Sequence, residues 1–337
     1  MVVATLQPLP QAIAPALAPV DRGRETRAFG EESVTPHHEP LPSTSLLIHS
    51  KQYRVVGTLG EGGMGTVYRA YDPLLERDVA LKVMKQGLPG EARQRFRQEA
   101  MYGARLSHPN LARVYDLGFW HDRGIDWFAM EHLEGRDLEV LLTRARQRGM
   151  RFSLRFAIDV FDGVLDALHY AHEQGLVHRD VKPGNIFVAR QRHRDRVWAK
   201  LLDFGVAVDL SKDDGAVAEV CGDPRYIAPE QALGSDDLDG RTDVYAAGMS
   251  LFESLTGRHP FADLVGSHHQ ALLEAQCTRD VPQVGALLAD LPPAIRCAMD
   301  VIVSKACAKD PTDRFESAAA MRTALLDVVD DPRLRAP

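Results

Sequence analysis

His178-Arg179-Asp180-Val181-Lys182-Pro183-Gly184-Asn185 reads HRDVKPGN. A carboxylate, an ammonium and a carboxamide are crowded together, and the Pro-Gly pair between Lys182 and Asn185 marks a loop. Such a cluster is either a solvated turn or a place where several polar groups face one ligand. The apolar Ile186-Phe187-Val188 follows, and Leu202-Asp203-Phe204-Gly205 later adds another carboxylate after an apolar run. Upstream, Gly60-Glu61-Gly62-Gly63-Met64-Gly65-Thr66-Val67 spaces its glycines as GxGxxGxV, and Val79-Ala80-Leu81-Lys82 sets a lysine inside an apolar strand.

Each feature alone has an ordinary explanation. Glycines let backbone N–H groups approach phosphate oxygens, but a hairpin turn uses glycines too, and a lone GxGxxG is weak. The segment after this loop, TVYRAYD, alternates like a strand, which argues against a dinucleotide-binding turn that opens a helix. A half-buried lysine needs an anion, and Glu99 on the following helical stretch can supply it. A surface ion pair between the two would contribute little.

Taken together, the Gly-rich loop, VALK, HRDxKxxN, DFG and Ala228-Pro229-Glu230 stand in the order found in protein kinases. The chain resembles that family over roughly residues 53–328. Through GEGGMGTVYRAYD and HRDVKPGNI it is similar to bacterial Hanks-type serine/threonine kinases. The resemblance implies an α+β, two-lobed fold. A small β-rich N-lobe with one main helix would span about 51–132, and a larger helical C-lobe about 133–328. It also implies transfer of the γ-phosphoryl of ATP, with Mg²⁺ or alternatively Mn²⁺, to Ser or Thr of protein substrates.

Phosphoryl transfer needs positioning and charge neutralisation more than covalent chemistry, which accounts for the crowding. By resemblance, Asp180 accepts the substrate hydroxyl's proton and Lys182 neutralises the migrating phosphoryl group. Asn185 and Asp203 offer hard oxygens to the metal. Lys82, oriented by Glu99, binds the α and β phosphates beneath Gly60, Glu61, Gly62, Gly63 and Gly65. Met130 corresponds to the gatekeeper, and Glu131-His132-Leu133 to the hinge that meets adenine between Val67, Ala80 and Phe187. Those apolar positions read nearly as well as ordinary core. Asp243 is expected to anchor the HRD loop and Arg314 to pair with Glu230.

Secondary structure follows from periodicity. EARQRFRQEAMYGARL, from Glu91, has helical spacing at Phe96, Ala100 and Ala104. In LRFAIDVFDGVLDALHYAHEQG the positions Ala157, Val160, Phe161, Val164, Leu165, Leu168 and Ala171 form one stripe, closed by Gly175. TDVYAAGMSLFESLTG is apolar almost all round, as in a helix buried on every side.

Composition bounds the rest. Of 337 residues, 45% are hydrophobic and 26% charged, enough apolar material for a real core. Forty Lys and Arg against 47 Asp and Glu give a net charge of -7, which speaks against nucleic-acid binding. The four cysteines lack CxxC spacing, so reduced thiols are expected rather than zinc or disulfides. MVVATLQPLP has no basic n-region and no run reaches about 18 apolar residues. A cytoplasmic location without a membrane segment is therefore expected. Residues 1–50 hold seven of the 20 prolines and read as a Pro/Ala-rich disordered tail, and 329–337 as a C-terminal tail. The tail hydroxyls, and self-association for autophosphorylation, are compatible with the resemblance.

Three stretches depart from the family pattern. Asp223, in CGDPRYIAPE, stands where Ser/Thr-specific relatives carry Thr, and is expected to pair with Lys182 or to turn to solvent. From Val206 to Cys221 the only hydroxyl is Ser211, so Asp213, Asp214 or Glu219 could stand in for a phosphate at Arg179. RQRHRDR, 190–196, lengthens a turn with basic residues. Asp223 and the Thr-less segment support an alternative, a nucleotide-binding pseudokinase scaffold. A small-molecule phosphotransferase fits less well, because Glu230, Asp243 and Arg314 belong to the protein-substrate lobe.

Overall fold

The computed structural model describes residues 6–8, 46–48, 51–121, 123–189, 197–204, 207–209, 222–266 and 268–330. Two short strands come first, β1 (Leu6–Pro8) and β2 (Leu46–Ile48), both inside the stretch expected to be a featureless tail. The small lobe follows: β3 (Lys51–Glu61), β4 (Gly65–Asp72), β5 (Arg77–Met84), α1 (Gly90–Arg105), β6 (Val114–Trp120) and β7 (Ile125–Glu131). Its antiparallel sheet runs β2-β3-β4-β5-β7-β6.

This lobe's core is Tyr53, Ala70, Val79, Leu81, Phe96, Ala100, Trp127 and Phe128 with their neighbours. Helix α1 buries Phe96, Glu99, Ala100, Tyr102 and Gly103, whereas Ala104 is exposed. The inward face thus runs 96-100-103, one residue short of the expected 96-100-104 spacing. Gly103 is chosen because a Cβ there would lie 2.6 Å from the Val114 Cγ2. Gly118 faces a similar limit, since its Cβ would meet the Trp127 ring at 2.1 Å. Trp127 is fully buried and has no room to yield. Gly118→Ala is expected to destabilise the protein by about 1–3 kcal/mol, the usual range for overpacking, read as a lower thermal midpoint.

The large lobe contains β8 (Gly135–Asp137), α2 (Leu138–Gln147), β9 (Met150–Phe152), α3 (Leu154–Glu173), β10 (Leu176–Val177), β11 (Ile186–Ala189), β12 (Trp198–Leu201) and β13 (Val208–Asp209). Helices α4 (Pro229–Ala232), α5 (Gly240–Thr256), α6 (His269–Thr278), α7 (Pro293–Ala306) and α8 (Ala318–Asp330) complete it. Ser153 caps α3 by accepting from the Phe156 N–H, and the expected apolar stripe of α3 is buried throughout. Helix α5 is buried at every position from Thr242 to Thr256, and Gly257 closes it at φ 74°. Each fully buried Leu, Val or Phe stabilises such a core by about 1.5–3 kcal/mol. With α3, α5, α7 and α8 packed together, the lobe is a rigid platform for the loop between β10 and β11 that carries HRDVKPGN.

Among the described residues, no helix is long and apolar enough to cross a membrane. The whole of 190–196, the acids and Ser211 of the segment after DFG, and Cys221 lie outside the described residues.

Candidate active site

The loop between β10 and β11 is held from below. The Asp243 carboxylate, on the first turn of α5, is fully buried and accepts from the N–H groups of His178 and Arg179, both at 2.8 Å. The His172 Nε2 adds a third contact at 2.8 Å. Burial pushes the Asp243 carboxyl up, but the His172 contact and the His178 N–H hold it below the usual carboxylate range. Arg179 takes a left-handed φ of 62° within this clamp. The expected anchoring role of Asp243 is thus visible in the geometry.

Asp180 stands above the clamp. Its Oδ2 accepts from the Lys182 Nζ at 2.8 Å and the Asn185 Nδ2 at 3.0 Å. Its Oδ1 accepts from the Asp223 N–H at 3.1 Å. The Asn185 Nδ2 also donates to the Asp180 carbonyl at 2.8 Å. With its nitrogen committed to Asp180, Asn185 has its amide oxygen to offer elsewhere.

From the small lobe, the Lys82 Nζ reaches the Glu99 Oε1 at 2.5 Å and the Asp203 Oδ2 at 3.7 Å. Burial pulls the Lys82 ammonium down, but the Asp203 and Glu99 carboxylates outweigh it and hold it above the usual lysine value. Burial, helped by Asp203, pushes the Glu99 carboxyl up, against the pull of Lys82. Asp203 adopts a left-handed φ of 61°. A cavity of about 230 Å³ lies between the lobes, and Lys82, Glu99, Asn185 and Asp203 all line it. Its apolar wall includes Val67, Val114, Phe128, Met130, Leu201 and Leu202.

The other expected nucleotide-site residues do not line this cavity. Ala80 is buried on β5 opposite Met130, and Phe187 is on β11 opposite Lys200 and Asp137. Gly60, Glu61 and Gly65 lie at the ends of the β3–β4 hairpin, whose turn Gly62 closes by donating to the Gly65 carbonyl at 2.9 Å. Gly63 lies in the turn itself. Gly65 must be glycine, because a Cβ there would lie 2.5 Å from the Val83 carbonyl oxygen. Glu61 pairs with Lys85 at 2.8 Å. Leu133 follows β7 and is half-buried.

Asp223 corrects an expectation. Its carboxylate does not pair with Lys182. It accepts from Arg225 through the backbone N–H at 3.0 Å, Nε at 3.0 Å and Nη2 at 2.7 Å. Burial pushes the Asp223 carboxyl up, but the Arg225 hydrogen bonds hold it below the usual range. A guanidinium two residues away offers two aligned donors, which one distant ammonium cannot match. Arg225 also donates to the Glu139 Oε1 at 3.0 Å, joining this loop to the start of α2.

Two residues were not singled out from the sequence. Gln231 donates to the Arg179 carbonyl at 3.1 Å. Lys200, almost wholly buried on β12, donates to the Leu111 carbonyl at 3.0 Å and to the Glu131 Oε2 at 2.8 Å. The one available signal for Lys200 was a charge in the otherwise apolar run that leads into Asp203.

Glu230 and Arg314 form a two-pronged ion pair, with both N···O distances at 2.7 Å. Arg314 further donates to the carbonyls of Ala308, Arg241 and Lys309.

The protein kinase domain model matches residues 53–326. The serine/threonine-protein kinase PksC of Streptomyces coelicolor is 38% identical over 285 residues, which cover 82% of this chain and 49% of that protein. The serine/threonine-protein kinase pkn3 of Myxococcus xanthus is 39% identical over 295 residues, 84% of this chain and 51% of that protein. The chain thus spans about half the length of these curated relatives. The crystal structure of the Mycobacterium tuberculosis PknI kinase domain superposes with a TM-score of 0.64 at 28% identity, covering 84% of this chain and 98% of that one.

Proposed function

The chain belongs to the protein kinase family, and on that premise we propose that it transfers the γ-phosphoryl group of ATP to Ser or Thr side chains of protein substrates. The catalytic domain is taken as 51–328. The observation that carries the reading is Lys82 joined to Glu99 in the same cavity as Asn185 and Asp203. This union brings a phosphate-binding cation to the oxygen ligands across the lobes.

The family uses ATP and a divalent metal, and the donor set here fits Mg²⁺, with Mn²⁺ as the alternative. The Asp203 carboxylate and the Asn185 amide oxygen are hard donors facing one cavity, and phosphate oxygens would supply the rest. Bound there, the ion neutralises charge on the phosphates.

The protein's own groups do the remainder. Lys82 is aimed by Glu99 at the α and β phosphates. Asp180, oriented by Lys182, Asn185 and the Asp223 N–H, takes the proton from the incoming hydroxyl. Lys182 lies beside Asp180 and meets charge that develops on the transferring group. Val67 and Met130 contribute to an apolar wall suited to a purine. The location is taken as cytoplasmic, with no nucleic-acid partner, and self-association would serve autophosphorylation. The scaffold alternative drew partly on Asp223, whose carboxylate is occupied by Arg225 rather than by the catalytic pair.

The test is mass spectrometry of the protein after incubation with Mg·ATP and a generic basic protein, beside Asp180→Asn. Phosphate on Ser or Thr with the intact chain alone is expected. No phosphate with either chain, while nucleotide still binds, would replace this reading with the scaffold.

A further inference from the structure

We infer that the outer edge of β9 is a strand-docking surface of the large lobe, and that its resident occupant is the chain's own N-terminal segment Leu6–Pro8. Strand β9 lies between α2 and α3, well away in sequence from every catalytic group. Its register with β1 is antiparallel, with Leu6 opposite Phe152, Gln7 opposite Arg151 and Pro8 opposite Met150. Among the described residues β9 has no other strand beside it, so β1 alone completes its ladder.

The receiving edge is anchored by the lobe itself. Arg151 is buried, bonded to Asp290 and to the Phe152 carbonyl. The Phe152 ring packs on Phe156 with centroids 4.6 Å apart. An edge held in this way presents a fixed row of backbone donors and acceptors, which is what an extended segment recognises by strand addition. Left bare, it would also invite pairing with other chains. The sequence of the arm suits this edge, because Pro8 stands opposite Met150 at a pair that exchanges no hydrogen bonds, where its missing N–H costs nothing, while Gln7 and Arg151 form the bonded pair.

The two ends of the N-terminal region are fastened to different lobes, since β2 pairs with β3 of the small lobe while β1 pairs with β9. The connecting residues 9–45, at about 3.3–3.6 Å each when extended, are ample to reach between these points. Attachment through the same chain gives the arm an effective concentration of about millimolar order, so it excludes weak competitors for the edge without itself binding tightly. The arm therefore keeps this surface closed to extended segments of other proteins.

The experiment compares the full chain with a variant lacking residues 1–10, which lie outside the kinase-domain match at 53–326. Hydrogen exchange is read at the Arg151 amide, the one of the three that faces β1, with unfolding by urea followed in parallel. Removal of the arm is expected to speed exchange at that amide about tenfold or more while the urea midpoint changes little. A synthetic peptide of residues 1–12 should restore protection in the shortened protein and bind the full chain at least about tenfold more weakly. Protection in the full chain should not change on dilution. Unchanged exchange after removal of the arm, or equal peptide binding by both proteins, would overturn the inference. Protection lost on dilution would overturn it as well, by assigning the docked strand to a second copy. None of these readouts depends on catalytic activity.

Discussion

Asp243→Ala is expected to lower turnover on the order of 100-fold and to destabilise the protein by about 3–5 kcal/mol. The carboxylate is buried and accepts from the N–H groups of His178 and Arg179 and from His172. Alanine leaves both N–H groups buried without an acceptor, at about 1–3 kcal/mol each. The loop that carries Asp180 then relaxes, and a shift of about 1 Å in a catalytic group is enough for a loss of that size. Asp243→Asn keeps the volume but turns one acceptor into a donor, so its effect should fall between wild type and alanine. Turnover at saturating ATP and urea unfolding check the two parts. The sign of the pH dependence follows from the lowered carboxyl. The stabilisation is fully present above the ordinary Asp value and is lost as pH falls through the lower folded value. The alanine variant should lack this part of the acid sensitivity.

Arg314→Ala is the second large effect. The guanidinium is fully buried and holds the Glu230 carboxylate through two bonds of 2.7 Å. Among the described residues, its loss leaves the Glu230 carboxylate with the Thr242 hydroxyl at 2.9 Å as hydrogen-bond donor, and strips a donor from three carbonyls. Breaking a buried pair from one side costs about 3–5 kcal/mol, because an uncompensated charge remains. For a domain of this size that corresponds to a drop in thermal midpoint on the order of 10 °C. Arg314→Lys should recover little, since a single ammonium cannot reproduce the planar fork. A drop of under about 2 °C for the alanine variant would show that the pair is dispensable.

The candidate site was legible in the sequence because the protein kinase motifs fix both residue type and order. Asp180, Lys182, Asn185 and Asp203 could be named from spacing and resemblance, and Lys82 with Glu99 from a lysine in an apolar strand. The partner of Asp223 was not legible. Whether a carboxylate turns to Lys182 or to Arg225 depends on side-chain geometry across a tight turn, and both cations were close in sequence or in the expected site. Lys200 was hidden for a related reason. A single charge in a strand reads as exposed until its acceptors, one of them a backbone carbonyl, are brought near by folding. The β1–β9 pair left no trace at all. Three residues ending in proline show no periodicity, and the partner strand lies more than 140 positions away.

Arg179 and Asp203 both hold left-handed backbone conformations, which L-residues adopt at a cost of about 1–2 kcal/mol each. Neither is glycine; Arg179 lies in the Asp243 clamp and Asp203 lines the cavity between the lobes. The surrounding lobe must therefore carry surplus stability at these two points, and activity and robustness pull in opposite directions there. Sequence changes that let either residue relax would yield a sturdier protein with a poorer centre. Selection for heat resistance alone should drift toward such variants unless turnover is selected at the same time.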